Sequence, residues 1–216
     1  MPPRRRAPPS PVAAESSSVA GDASDNSLLG TASTFVYRHS STLHFLMALM
    51  GASFFGWRIS INADELAGIT QHPILTARFS YAPQDVYTFL HQLGDQGINL
   101  YLNINMLELG FAVSAAVGLS FLIGNIYDKG GLSHQWNLFP AIFLVFDLAE
   151  TAVIRWLLFT YPTPNLKLAW AASELTRYKF RFLLYTSGVI LFGLIAWGRK
   201  TYFPSRPAVS APDHLE

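Results

Sequence analysis

Along this chain, charge-free apolar stretches about as long as a membrane-spanning helix alternate with short polar segments. Arg38 and Arg58 enclose 19 uncharged residues, HSSTLHFLMALMGASFFGW, and Glu108 and Asp128 enclose another 19. Arg181 and Arg199 enclose 17, with Trp197 near the end. A fourth stretch, from Asn137 to Thr160, is equally apolar but carries Asp147, Glu150 and Arg155. A spanning helix needs about 20 residues, so spans are predicted at about 39–58, 101–124, 137–160 and 178–198. A soluble bundle would need a polar stripe at helical spacing, which the second and fourth stretches lack. The pattern predicts an all-α, polytopic membrane protein with four transmembrane helices within residues 35–200.

The longest connection, between the first two spans, has its own helical signal. Pro83 suits a first turn, Gln84 and Asp85 follow it, and Val86, Phe89, Leu90 and Leu93 recur at helical spacing before Gly94 and Gly97. This predicts a short amphipathic helix, about Pro83 to Leu93, lying on the bilayer surface or capping the bundle. A claudin-like extracellular sheet is the competing reading, but the loop has no alternating strand formers and no cysteine pair. Residues 1–34, rich in Pro, Ser and Ala, read as a disordered tail, and residues 201–216 as a second one. No apolar run follows Arg4, Arg5 and Arg6, so a retained cytoplasmic tail is expected in place of a signal peptide.

Composition narrows the chemistry. The 216 residues are 50% hydrophobic and only 13% charged, with a net charge of +1, so no nucleic-acid partner is expected. With no cysteine, disulfides, thiolate metal sites and cysteine nucleophiles are excluded. The 6 histidines are scattered without a ligand motif, and neither a phosphate-cradling glycine motif nor G-x-S-x-G occurs. No metal or cofactor is expected. Eight basic residues flank the side holding both termini and six the other, which favours cytosolic termini in a multi-pass protein.

Charges inside the predicted spans are the candidate functional residues, because an ionisable group in hydrocarbon costs roughly 2.5 to 3.5 kcal/mol and calls for a partner. At 1.5 Å rise per residue, Glu108 lies about 10 Å below one end of the bundle, Arg155 about 8 Å and Glu150 about 15 Å. A Glu108–Arg155 ion pair is therefore expected. Asp147, Glu150 and Arg155 share an arc of the third span, and Tyr101, Asn105 and Glu108 share a face of the second. Thr176, Lys179 and Arg181 enter the fourth from the same end, with Lys179 able to snorkel towards the acids. The expected polar cluster thus comprises Tyr101, Asn105, Glu108, Asp147, Glu150, Arg155, Thr176, Lys179 and Arg181. Such a cluster either fixes helix register as a neutralised network or lines a water-accessible pocket for protons, cations or acid-base chemistry.

The stretch FDLAETAVIRWLLFTYPTPNLKLAWAASELTRYKF resembles a family of uncharacterised four-helix membrane proteins. Its members carry Asp-x-x-Glu in the third span, then Tyr-Pro, then Ser-x-x-Thr-x-x-Lys into the fourth. The matching positions are Asp147 and Glu150, Tyr161 and Pro162, then Ser173, Thr176 and Lys179. Tyr81, Asp85, Gly94, Gly97 and Tyr101 are similar to that family's earlier loop, with Glu108 following. Thr151 stands where the family would have Asn. The resemblance, over about Phe35 to Trp197, implies a topology and a functional core without implying a reaction. The expected role is a structural or partner-binding membrane component, with the bilayer and a membrane-protein partner or a second copy as partners. A lipid-modifying enzyme or a small-solute or proton carrier is the alternative. Small residues at Ser114 and Gly118 offer a face for close helix approach.

Overall fold

The computed structural model describes residues 28–39 and 41–203, and every regular element among them is helical. The elements are α1 (Leu28–His39), α2 (Thr42–Thr70), α3 (Pro83–Gly130), α4 (Phe139–Thr160) and α5 (Leu166–Tyr202). Short 3-10 turns, Leu75–Ala77 and His134–Leu138, interrupt two of the connections. By length and composition, α3 and α5 are long and apolar enough to cross a membrane.

Local chemistry sets the boundaries. The Ser41 hydroxyl caps α2 by accepting from the His44 N–H at 3.3 Å. Asp85 accepts from the Ala82 N–H at 2.9 Å, and Pro83 occupies the first turn of α3, where no amide donor is missed. The Asn165 side chain accepts from the Leu168 N–H at 3.1 Å and starts α5 twelve residues before the expected span. That extra length is amphipathic: Ala169, Ala172, Ser173 and Thr176 are buried on one face. α2 likewise continues past Arg58, burying Asn62, Leu66 and Thr70 while Asp64 and Glu65 stay exposed.

The helix expected over about Pro83 to Leu93 is present, as the first segment of α3. Gly94, at φ 58° and ψ −175°, takes a backbone conformation open essentially to glycine alone and kinks the helix there. Val86, Phe89, Leu90 and Leu93 are buried against Leu66, Ile74, Leu75, Ile154, Leu157 and Ala169. The segment therefore caps one end of the bundle. The chain between α2 and α3 folds inward beneath it, burying Ile74, Leu75 and Thr76.

α3 is the central helix: α2, α4 and α5 all pack on it, and α4 packs on α5. Small residues bring α2 and α3 together, with Gly51 against the Ser114 hydroxyl and Gly118 against Ala48. The Ser114/Gly118 face is thus used within the chain.

The boundary of the expected N-terminal tail is corrected, because Leu28 to Thr34 belong to α1. Weak local propensity in LLGTASTFVYRH hides this helix, and long-range bonds hold it. Asn137 Nδ2 donates to the Ser33 carbonyl at 3.0 Å, and Tyr37 donates to Asp128 Oδ1 at 2.8 Å. The bond to Asp128 holds the Tyr37 phenol above its ordinary pKa. At the other end α5 runs through Thr201 and Tyr202, both assigned to the expected C-terminal tail. The remaining parts of both tails, residues 1–27 and 204–216, lie outside the described residues.

Candidate functional site

Beneath the cap, three helices, α3 to α5, and the inward-folded chain bring polar side chains together. Lys179 of α5 places Nζ 3.2 Å from Asp147 Oδ1 and 2.5 Å from Glu150 Oε2, both on α4. Its third contact is a 3.3 Å hydrogen bond to the Thr76 carbonyl. Glu150 is fully buried, and its other oxygen accepts from Thr176 Oγ1 at 2.5 Å. Asp147 and Lys179 are 8% and 7% exposed, so this triad is a buried unit in which one ammonium serves two carboxylates. One turn before Thr176 on α5, Ser173 Oγ donates to the Tyr81 carbonyl at 2.7 Å, and the Tyr81 hydroxyl lies 3.3 Å from Thr176 Oγ1.

The expected Glu108–Arg155 pair does not form. Glu108 accepts hydrogen bonds from the Thr76 hydroxyl and from Asn105 Nδ2, the latter at 3.4 Å. No described cation lies within 4.0 Å of it. Arg155 is half-buried elsewhere on α4, and its Nε makes no hydrogen bond. Depth along the helix axes matched the two residues, but depth says nothing of the inward fold that brings Thr76 onto Glu108. Arg181 also leaves the cluster: it is exposed, its guanidinium 5.4 Å from the centre of the Tyr178 ring.

Tyr101 and Asn105 belong to the site as expected from their spacing, and both are fully buried. The Tyr101 ring packs edge-on against Phe89, and its hydroxyl makes no well-formed hydrogen bond. The Asn105 carbonyl oxygen is likewise without a donor. The structure therefore brings together Tyr101, Asn105, Glu108, Asp147, Glu150, Thr176 and Lys179.

Glu108, Asp147 and Lys179 line a cavity of about 260 Å³. Its remaining walls are Gly56 and Ile59 of α2, Phe111 of α3, Phe143 of α4, Phe180 and Leu183 of α5, and Ile74, Thr76 and Ala77 of the inward fold. Sequence reasoning missed Thr76, because a threonine in a long connection carries no positional signal, and it read the wall phenylalanines only as apolar span residues. Tyr81 and Ser173 were visible as motif positions, though without their mutual contact.

Among the described residues, no group of three or more His, Asp or Glu side chains stands in metal-holding geometry. No protein-family profile matches the chain, and comparison with curated proteins and with solved structures gives no match. Its activity must be argued from the site.

Proposed function

We propose that this chain is a multi-pass membrane protein with four spanning helices, α2 to α5, whose interior cavity binds a small ligand. The apolar windows of α3 and α5 are only 22% and 11% buried, whereas the core helix of a soluble protein would be mostly covered. α2 adds an exposed stripe of Leu43, Met47, Met50, Phe54 and Trp57, more contiguous apolar surface than a soluble monomer tolerates. The absence of cysteine makes topology directly testable by labelling single cysteines with an impermeant maleimide in sealed vesicles. His72→Cys and Thr163→Cys should react from one side, and Gln135→Cys and Thr201→Cys from the other. Any other partition removes the four-span arrangement.

The ligand-binding reading rests on Glu108. The Lys179–Asp147–Glu150 triad fits a register-fixing role, since each of its charges touches an opposite one and the contacts tie α4 to α5. Glu108 does not fit that role: it lines a cavity, and no described cation lies within 4.0 Å of it. A half-buried carboxylate on a cavity wall, with no cation in contact and a lone pair free on each oxygen, can take a partner supplied from outside the chain. The test is mass analysis of protein extracted with its native lipids. A co-purifying small molecule present in the wild type and absent from Glu108→Gln supports binding. Identical small-molecule content in the two would leave the cluster as a structural element only.

A further inference from the structure

The cavity's charges and its level along the helices constrain what can enter, given the ligand-binding reading above. Glu108 and Asp147 supply two carboxylates on the wall against the single ammonium of Lys179, which already contacts Asp147 and the fully buried Glu150 behind it. Each Glu108 oxygen accepts one hydrogen bond and keeps a lone pair for another donor. A phosphate or a fatty-acid carboxylate would find only Lys179 as a cation on the wall, already held between two acids. An alcohol could donate a hydrogen bond but would leave the negative charge uncompensated. A cation satisfies both needs. The Phe180 ring centre lies 5.5 Å from Lys179 Nζ, and the faces of aromatic rings on the wall suit a cation.

The level of the site favours a membrane amphiphile over a soluble ion. Glu108 immediately precedes the 19 uncharged residues of α3, and Arg181, two residues after Lys179, precedes the 17 of α5. These windows are about 28 Å and 26 Å long, close to the roughly 30 Å of a bilayer's hydrocarbon. Glu108 and Lys179 therefore stand where the charge-free windows of α3 and α5 begin, beside apolar helix surface. Phe111, one turn further into the apolar window, both lines the cavity and is 38% exposed on the helix surface. The volume of about 260 Å³ matches roughly nine waters, enough for a head and its first methylenes.

We infer that the cavity receives a long-chain aliphatic amine, its ammonium on Glu108 and its tail leaving past Phe111 into the bilayer. The full chain in phosphatidylcholine nanodiscs, titrated with hexadecylamine, hexadecanol or hexadecanoic acid and read by thermal unfolding, tests this. Hexadecylamine should raise the melting temperature of the wild type, while the alcohol and the acid should not. Glu108→Gln should weaken the amine's apparent affinity at least tenfold. Gly56→Leu retains the carboxylate but fills the cavity, and it should also abolish the shift; it decides the matter should Glu108→Gln not fold. An amine effect that survives either substitution, or an equal effect of the alcohol, overturns the amine assignment. An alcohol effect that Gly56→Leu removes overturns only the ligand class and leaves ligand binding standing. Failure of ligand binding itself is read separately, from the native-lipid extraction above.

Discussion

Removing the ammonium of Lys179 should be the most damaging single change at the site. At an effective dielectric of 20, its attractions to Asp147 at 3.2 Å and Glu150 at 2.5 Å are roughly 5 and 7 kcal/mol in gross terms. Desolvation of three buried charges offsets most of this, so the pairs themselves add little net stability. Lys179→Met removes the attraction and leaves the desolvation, stranding two carboxylates and an unmet Thr76 carbonyl. The expected loss is about 3–5 kcal/mol, the magnitude seen when one partner of a buried pair is deleted. The triple variant Lys179→Met, Asp147→Asn, Glu150→Gln carries no stranded charge and should recover most of the loss. The assay is thermal unfolding of purified variants in one neutral detergent, with folded yield as a second readout. A triple variant as unstable as Lys179→Met would refute the reasoning, since the damage would then come from lost packing and hydrogen bonds.

Phe89→Ala should cost about 3–5 kcal/mol in the same assay, because its ring is fully buried in the cap core. Gly94→Ala should cost about 1–3 kcal/mol through backbone strain at the kink, while Gly188→Ala, with no atom within 4 Å of the added carbon, should stabilise by about 0.5–1 kcal/mol. Gly51→Leu should separate α2 from α3 and cost about 1–3 kcal/mol, since even a Cβ there would approach the Ser114 hydroxyl to 2.9 Å. The raised Tyr37 pKa gives a pH signature: the bond to Asp128 holds below the ordinary tyrosine range and is lost as pH rises through the raised value. Hydrogen exchange in α1 should accelerate at that point, and Tyr37→Phe should show the faster rate at neutral pH.

The elements legible in the sequence were those specified by local pattern. The uncharged windows of α3 and α5 are visible because a long apolar run needs no tertiary information. The cap was visible because Pro83, Asp85 and the apolar spacing from Val86 to Leu93 all act within one short segment. α1 went unread, and α2 and α5 were read too short, for the opposite reason. α1 depends on Asn137 and Asp128, both about a hundred residues away, and the first turns of α5 are buried by a cap that sequence spacing does not place. At the site, helical periodicity grouped Tyr101, Asn105 and Glu108 correctly and put Asp147 and Glu150 within reach of Lys179. The partner of Glu108 was misassigned because rise per residue fixes depth but not rotation or the path of a connecting segment.

That segment joins groups which do not touch each other. Thr76 meets Glu108 through its hydroxyl and Lys179 through its carbonyl, so one residue between α2 and α3 spans the acid of α3 and the base of α5. Thermodynamic reciprocity then makes the connection a reporter of the site. Whatever alters the charge on Glu108 changes the stability of the fold at Ile74 to Ala77, and whatever displaces that segment changes the affinity of the carboxylate for its partner. A soluble molecule gripping the exposed residues beside it, His72 or Phe79, would thereby act on a cavity it never enters.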